Sequence, residues 1–330
     1  MLGAGLALSG PLGAAAQGQA AVQALEIPRR PFGVTRDMVS IIGLGGYHIG
    51  SLRSLEEAQS IVREAVDSGV NFIDCAWEYH QGKSEEWLGE SLKGRRDKVF
   101  LMSKVCTHGR DKKVAMQQLE DSLRRLRTDY LDLWQIHECV YDNDPERHFA
   151  TGGVVEALTE AKNSGKVRYV GFTGHKHPAI HLKMLAYEYP FDSVQMPLNA
   201  FDAGFRSFEA LVLPELHKRG IAALGMKSLG GNGLPVQRGA VTVEEALSYA
   251  MSLPVATTIC GIDSPDVLRQ NLAVARGFRP MSPEEMDALR QRCAPAAGDG
   301  HMELYKSTMK YDGDVGREQH GMPPHEHLPL

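Results

Sequence analysis

From Val39 onward, short apolar runs alternate with longer segments whose apolar residues recur at helical spacing. Runs of this length and composition predict buried β-strands. The predicted strands are Val39–Leu44, Val70–Asp74, Val99–Lys104, Leu131–His137, Val167–Thr173, Ser193–Pro197, Gly220–Met226 and Thr257–Gly261. Between them, a helix-period stripe such as Leu119, Leu123 and Leu126 predicts amphipathic helices. The clearest helices are Leu55–Ser68, Lys113–Leu126, Val154–Ser164, Phe208–Arg219 and Glu244–Ser252.

This alternation of strands and helices predicts a parallel sheet, and eight strands is the number that closes into a (β/α)8 TIM barrel. A doubly wound open sheet is the alternative, but GLGG at residues 43–46 lacks the third glycine of a dinucleotide-binding fingerprint. We therefore expect a single-domain α/β barrel over residues 29–295. Residues 1–28 would be a leader, and residues 296–330 a tail that lies near the barrel mouth or is disordered.

Composition and charge exclude several classes of protein. The chain of 330 residues has a net charge of −5, which argues against a nucleic-acid surface. Its five cysteines form no CxxC pair and predict reduced, partly buried thiols rather than a zinc knuckle or a disulfide framework. Beyond the leader, no stretch approaches the roughly 18 apolar residues of a membrane span. The expected partner is therefore a small molecule.

The first 25 residues are apolar and small, with no lysine or arginine before Arg29. Two interpretations stay open. The segment is the remainder of a longer twin-arginine export signal, which would make the protein periplasmic, or it is an Ala/Gly-rich leader of a cytoplasmic protein.

Three consecutive predicted strands end on ionisable residues, which are Asp74, Lys104 and His137. In a TIM barrel the active site lies at the carboxyl ends of the strands, so these side chains should meet there. Tyr79 follows Asp74 by five positions and would lie in the loop above them. A phenol has a pKa of about 10, and a neighbouring ammonium favours its ionised form. The group therefore predicts a general acid that acts on a carbonyl oxygen.

The segment NFIDCAWEYHQGKSEEWLG (71–89) resembles the signature of the aldo/keto reductase family, and SKV (103–105) and QIHE (135–138) resemble two further family motifs. The resemblance extends from about Arg30 to about Arg292. It implies that Tyr79 is the proton donor, that Lys104 lowers the pKa of Tyr79, that Asp74 pairs with Lys104 and that His137 orients the carbonyl. The implied activity is NAD(P)-dependent reduction of an aldehyde, ketone or keto-sugar to an alcohol.

The same resemblance implies a nicotinamide cofactor that is bound in an extended form across the barrel mouth. The matching cofactor positions are Gly46, Tyr47, Thr173, Gln195, Met226, Lys227, Leu229, Gly261, Asp263 and Asn271. Relatives that prefer NADP place lysine or arginine after the eighth strand, where this chain has Asp263, and Arg269 is the only cation nearby. The preference between NADP and NAD therefore stays open.

Trp77, Glu138 and His175 would surround the mouth and contact the substrate. Glu138 occupies a position where relatives often have tryptophan, which favours a polar carbonyl compound. The histidine pairs HKH (175–177) and HEH (325–327) could suggest a metal, but short motifs of this kind are rarely specific. We therefore expect no metal in the active site.

Two other functions remain open at this point. Lys104 could be the Schiff-base nucleophile of a lyase, a chemistry that barrels also support. Alternatively, the protein could be a nicotinamide-binding regulatory subunit with slow turnover.

Overall fold

Eight parallel strands form a closed barrel in the computed structural model, which describes residues 26–106, 108 and 111–328. The barrel strands are β3 (Ile42–Gly45), β4 (Phe72–Asp74), β5 (Phe100–Val105), β6 (Leu131–Ile136), β7 (Val167–Thr173), β8 (Ser193–Pro197), β9 (Ala222–Met226) and β10 (Thr257–Gly261). They follow chain order around the barrel, and β10 pairs with β3 to close it. The predicted TIM barrel is therefore confirmed. The leader interpretations concern residues 1–25, which lie outside the described residues.

Helices surround the barrel. Their bounds are α1 (Gly46–Ser51), α2 (Leu55–Asp67), α3 (Lys83–Ser91), α4 (Lys112–Leu126), α5 (Asp144–His148), α6 (Val154–Asn163), α7 (Pro178–Ala186), α8 (Phe208–Leu211), α9 (Leu213–Arg219), α10 (Leu234–Gln237), α11 (Val243–Ser252), α12 (Pro265–Arg276), α13 (Pro283–Cys293), α14 (Leu304–Ser307) and α15 (Asp314–Gln319). Short 3₁₀ helices cover Tyr79–Gly82, Arg96–Lys98, Asp202–Gly204, Ala294–Ala296 and His325–His327.

Two predicted elements are each divided in the structure. The run Val39–Leu44 is two strands, because β2 (Met38–Ser40) pairs antiparallel with β1 (Arg29–Pro31) before β3 enters the barrel. The predicted helix Phe208–Arg219 breaks at Val212, where α8 ends and α9 begins. Pro214 explains why this helix is divided. Proline has no backbone N–H to donate within a continuous helix, but it is accepted in the first turn of a new one.

Aromatic side chains fill the barrel interior at the end opposite the strand carboxyl termini. Phe32, in the loop between β1 and β2, is fully buried, and its ring centroid lies 4.8 Å from that of Phe100. Phe72 stacks on Phe100 at 5.3 Å, and Met102 and Leu133 belong to the same cluster. Because this end is closed by packed side chains, a ligand can approach the barrel axis only from the carboxyl ends of the strands.

The C-terminal tail packs against the loops at the carboxyl ends of the strands. Lys306 is buried and its Nζ lies 2.6 Å from Asp202 Oδ1 and 3.0 Å from Glu303 Oε2. Lys176, just after β7, lies 2.6 Å from Asp312 of the tail.

Within the part of the chain that the structure describes, no helix has both the length and the hydropathy of a membrane span.

Candidate active site

A buried ion pair connects the ends of two neighbouring strands. Asp74 is the last residue of β4 and Lys104 is the penultimate residue of β5. Both are almost completely buried, with 4% and 1% of their surface exposed. Lys104 Nζ lies 2.6 Å from Asp74 Oδ1 and donates to the Cys75 carbonyl at 2.7 Å. Because a buried charge is costly unless it is paired and hydrogen-bonded, these contacts hold the ammonium in one position.

Tyr79 lies in the 3₁₀ helix that follows β4, and its hydroxyl is 3.4 Å from Lys104 Nζ. The two residues after it, His80 and Gln81, have φ values of 51° and 58°. This left-handed backbone is strained for residues other than glycine, and such strain concentrates at functional sites. The structure therefore brings Tyr79 to the Asp74–Lys104 pair, as the sequence predicts.

The pKa of Tyr79 is raised well above its usual value, first because of burial and next because of the Asp74 carboxylate. The resemblance implies that Lys104 contributes a lowering of this pKa, and burial together with the nearby carboxylates outweighs that contribution. Loss of hydration penalises the phenolate, and the carboxylates add to this penalty. Tyr79 consequently keeps its proton at neutral pH, which is the state that a proton donor requires.

His137 directly follows β6, and its Nδ1 is hydrogen-bonded to Glu78 Oε1. Its ring stands edge-to-face against the Tyr79 ring, with centroids 5.6 Å apart. Although burial raises the pKa of Glu78, the charge and hydrogen bond of His137 outweigh this effect and lower it. A carboxylate on one ring nitrogen fixes the orientation of the imidazole, which leaves the other nitrogen available for a ligand.

Glu78 was missed by the sequence analysis. The available signal was its position directly before Tyr79, in the loop that rises above the barrel. Its partner His137 is 59 residues away in sequence, so the pair could be recognised only from the tertiary structure.

Thr173 and Gln195 end up side by side, because β7 and β8 pair these two residues directly. Both are buried. Gln195 Nε2 lies 3.7 Å from Met226 Sδ, whereas Gln195 Oε1 has no hydrogen-bond partner among the described residues. An unsatisfied buried acceptor is costly, so this oxygen is suited to bind an N–H donor of a ligand at the mouth.

The aldo/keto reductase family model matches residues 41–240. The chain belongs to the aldo/keto reductase family. The uncharacterized oxidoreductase YqkF of Bacillus subtilis (strain 168) is 29% identical over 305 residues, which cover 79% of this chain and 95% of YqkF. The predicted family is therefore confirmed, and the protein is an NAD(P)H-dependent oxidoreductase.

Solved structures share the fold of this aldo/keto reductase. The holo form of AKR11C1 from Bacillus halodurans matches it with a TM-score of 0.68 and 24% identity, over 81% of this chain and 96% of that one. An aldo/keto reductase from Klebsiella pneumoniae, in complex with NADP and acetate, matches with a TM-score of 0.62 and 24% identity. That match covers 78% of this chain and 92% of the Klebsiella chain. At these identities the likeness supports the fold.

Two of the predicted cofactor positions lie directly beside Asp74 and Tyr79. Gly46 begins α1, and a Cβ there would lie 2.4 Å from the Asp74 carbonyl oxygen, so only glycine permits this close approach. The neighbouring Tyr47 is half exposed, and its ring stands edge-to-face to Tyr79 at 5.3 Å.

The other predicted cofactor positions are distributed around the rim of this aldo/keto reductase. Gly261 ends β10, and Asp263 is exposed just beyond it. Asn271 is buried on α12, and Leu229 is partly buried against the core. Arg269 forms a two-pronged pair with Glu64 of α2, at 2.8 and 3.2 Å. The cation that could have bound a 2′-phosphate is thus already paired with a carboxylate.

Lys227 follows β9 and lies beneath two tyrosines of the tail. Its ammonium is 5.5 Å from the ring centroid of Tyr305 and 5.9 Å from that of Tyr311. Burial lowers the pKa of Lys227, and the charge of Lys104 adds to this effect, whereas Glu138 opposes it. An ammonium close to two aromatic rings is stabilised by cation–π interaction and is suited to bind an anion.

The three predicted substrate residues have different surroundings. The Trp77 ring lies against the Arg125 guanidinium of α4, 5.3 Å away, and Arg125 also donates to the Trp77 carbonyl. The expected substrate role of Trp77 stays a prediction. Glu138 and His175 face the tail: Glu138 Oε2 accepts from the Gly313 N–H at 2.7 Å, and His175 Nε2 lies 3.7 Å from Asp312.

The HKH and HEH motifs do not converge on a common point. His177 Nδ1 accepts from the Ala179 N–H at 3.0 Å and caps α7, whereas His175 faces Asp312. In the second motif, His325 Nδ1 bonds Asp314 at 2.8 Å. Three of these histidines, His175, His177 and His325, thus have partners within the protein.

Replacing Glu138 by asparagine is expected to loosen the tail. Asparagine tolerates the left-handed backbone of position 138 (φ 55°) but is too short to reach Gly313. A hydrogen bond to a charged group contributes about 1.5–3 kcal/mol, so the Gly313 amide should exchange its hydrogen roughly 10- to 100-fold faster. Hydrogen–deuterium exchange measures this rate, with the amides of β5 as internal control. Unchanged protection of Gly313 would show that the other tail contacts suffice.

Proposed function

We propose that this aldo/keto reductase reduces the carbonyl group of a small polar aldehyde or ketone to an alcohol, with Tyr79 as the general acid. The observation that supports this proposal best is the position of Lys104 Nζ, 2.6 Å from Asp74 and 3.4 Å from the Tyr79 hydroxyl. A nicotinamide cofactor, when bound at the barrel mouth, would supply the hydride for the carbonyl carbon. Tyr79 donates its proton to the carbonyl oxygen, so that the C=O double bond becomes a C–OH single bond.

The neighbours of Tyr79 stabilise the phenolate that this step leaves behind. The Lys104 ammonium lies beside the phenolic oxygen, and Asp74 holds the ammonium in place. Such preorganised charge is effective because it needs no reorganisation during the reaction. His137, oriented by Glu78, directs a ring nitrogen at the substrate oxygen and aligns the carbonyl with the Tyr79 hydroxyl.

The residues around Gln195 fit the carboxamide of a nicotinamide ring. Gln195 Oε1 is a buried acceptor without a partner among the described residues, and a carboxamide offers N–H donors. Thr173 lies beside it, and the Met226 thioether can fill the space against the ring. We assign the remainder of the cofactor to a second set of positions, which are Gly46, Tyr47, Lys227, Leu229, Gly261, Asp263 and Asn271.

The polar surroundings of the mouth favour a hydroxylated or anionic carbonyl substrate, such as a keto-sugar. Lys227 has no ion-pair partner within the described part of the chain, and Glu138 contributes to its electrostatic surroundings. A mouth with both charge signs binds hydroxyl and carboxylate groups better than an alkyl chain.

A Schiff-base lyase is the less favoured function, because its lysine must be neutral to attack a carbonyl. Lys104 instead donates from a buried ammonium to a carboxylate and a carbonyl oxygen.

Stopped-flow oxidation of NADPH and NADH against aldehydes, keto-sugars and quinones tests the proposal. Rapid oxidation with one class supports reduction. Borohydride trapping of substrate on Lys104 without NAD(P)H oxidation would contradict it, and uniformly slow turnover would favour a regulatory subunit.

Asp263→Arg is expected to shift the cofactor preference toward NADPH. Asp263 is exposed just beyond β10, and Arg269 is occupied by Glu64, so a new arginine would supply a free cation for a 2′-phosphate. A gain of about 1.4 kcal/mol for NADPH corresponds to roughly a tenfold rise in the ratio of kcat/KM for NADPH to that for NADH. Steady-state kinetics with both cofactors measure the ratio.

Asp266→Arg is the matched control for this experiment, because it makes the same charge change three residues later at a side chain that is 98% exposed. An unchanged ratio in Asp263→Arg would remove Asp263 from the cofactor site. An equal change of the ratio in both variants would indicate a general electrostatic effect of the added positive charge rather than a contact with the 2′-phosphate.

A further inference from the structure

Three side chains from separate segments meet at a buried point that the proposed reaction does not use. His108 lies in the loop after β5, Asp144 begins α5 and His320 follows α15 in the tail. His108 and Asp144 are completely buried, and the His320 side chain is 7% exposed. One donor atom from each lies within 4.8 Å of the other two.

The carboxylate of Asp144 is oriented by the backbone. Its Oδ2 accepts from the N–H groups of Val140 and Tyr141, at 2.8 and 2.9 Å. Its Oδ1 is directed toward the histidines, 3.8 Å from His108 Nδ1 and 3.4 Å from His320 Nε2. Carboxylates that bind metals are typically held in this way, with one set of hydrogen bonds fixing the group while another oxygen meets the ion.

Several polar atoms at this point lack a hydrogen bond. Both ring nitrogens of His108 and the Oδ1 of Asp144 have no hydrogen-bond partner within residues 26–106, 108 and 111–328. Native proteins rarely leave buried polar groups unsatisfied, and an ion or an ordered water is the usual explanation where they do. Two imidazoles and one carboxylate around a common centre favour an ion over a water, since neutral imidazole is the commonest metal ligand in proteins.

We propose that His108, Asp144 and His320 bind a divalent transition-metal ion, with zinc as the best match. Imidazole nitrogen with carboxylate oxygen suits zinc and its neighbours, whereas magnesium and calcium take oxygen ligands. With metal–ligand bonds of about 2.0–2.2 Å, donor atoms in a tetrahedral zinc site lie about 3.3 Å apart. The present separations therefore close onto an ion with shifts of under about 1 Å for each side chain.

The ion would join the C-terminal tail to two loops of the active-site end of the barrel. His108 lies in the loop after β5, the strand that contains Lys104. Asp144 begins α5, which follows β6, and His137 comes directly after β6. The tail is shaped for this approach: a Cβ on Gly316 would lie 2.2 Å from His108 Nε2, so only glycine allows α15 to come this close. We assign the ion a structural role, in which it holds the tail over the barrel mouth.

Zinc titration of the full-length protein tests this assignment. The protein is stripped with a chelator, and zinc binding is measured by competition with a chromophoric chelator. We expect one zinc ion per chain with a submicromolar Kd, and cobalt should give the visible spectrum of a four-coordinate site. His320→Gln and His108→Gln should each weaken zinc binding about 100-fold or more. His327→Gln, an exposed tail histidine, is the matched control and should bind zinc like the wild type.

A second readout keeps the test decisive even if His108→Gln does not fold. Zinc should slow hydrogen–deuterium exchange of the α15 amides in the wild type and in His327→Gln, but not in His320→Gln. The proposal is overturned if the stripped protein binds no stoichiometric zinc, or if His320→Gln binds it as tightly as the wild type. Neither measurement depends on carbonyl reduction, so the outcome is independent of the proposed activity.

Discussion

Tyr79→Phe is expected to reduce kcat for carbonyl reduction by roughly 100- to 10,000-fold, the range that a positioned general acid contributes. The substitution removes one oxygen atom, whereas the ring contacts with His137 and Tyr47 can remain. Single-turnover stopped-flow measurements of NAD(P)H oxidation report the chemical step directly. Cofactor affinity, followed by fluorescence, should change little, because the cofactor is held by residues of other strands.

Tyr187→Phe is the control for this variant, because it removes the hydroxyl of a tyrosine that is 45% exposed and stacks on Phe149. Its rates should equal those of the wild type.

The pH profile of the wild-type enzyme is a further test of Tyr79 as the acid. Because burial and Asp74 raise the pKa of Tyr79 well above 10, Tyr79 stays protonated through neutral and mildly alkaline pH. Activity should therefore show no loss from Tyr79 ionisation below about pH 10. Full activity of Tyr79→Phe would exclude Tyr79 as the acid.

Lys104→Met is expected to lower the free energy of unfolding by about 3–5 kcal/mol and to abolish reduction. The ammonium is 1% exposed and makes a 2.6 Å contact with Asp74. Its removal leaves the Asp74 carboxylate buried without a compensating charge, and this unpaired charge destabilises the folded state. Urea denaturation followed by circular dichroism measures the loss of stability, and stopped-flow kinetics measure the loss of activity.

The double variant Lys104→Met with Asp74→Asn separates the two effects. With both charges removed, most of the lost stability should return, whereas activity should not, because the phenolate of Tyr79 would still lack its cation. Lys93→Met is the matched surface control: its pair with Glu90 is exposed and should contribute at most about 1 kcal/mol. If Lys104→Met were as stable as the wild type, the proposed contribution of the Asp74–Lys104 pair to the free energy of unfolding would be wrong.

Much of the fold could be predicted because its signals are local. The alternation of apolar runs and helix-period segments predicted the strands within a few residues. The errors have local causes too. Pro214 interrupts the predicted helix Phe208–Arg219, and the residues before Ile42 turn into a hairpin that closes the barrel bottom.

The candidate site was predictable only in part. Asp74, Lys104 and His137 mark strand ends, so their convergence follows from barrel geometry alone. Glu78 was missed because its partner His137 is distant in sequence. The contact between the Trp77 ring and Arg125 also joins residues that are far apart in the chain. The orientation of a side chain in a loop depends on the elements that pack against it. These elements are distant in sequence, so the local sequence pattern does not predict the orientation.

The amino-acid sequence by itself determined the barrel, the family and the residues that could carry the chemistry, because strand period and strand-end position are properties of short segments. Only the tertiary structure decided the rest. The direction of the Tyr79 pKa shift depends on burial and on charges from several strands. The tail, with its contacts to Glu138 and His175, and the meeting of His108, Asp144 and His320 depend on segments far apart in the chain. Burial and proximity arise only when distant segments pack together, and no local pattern encodes them.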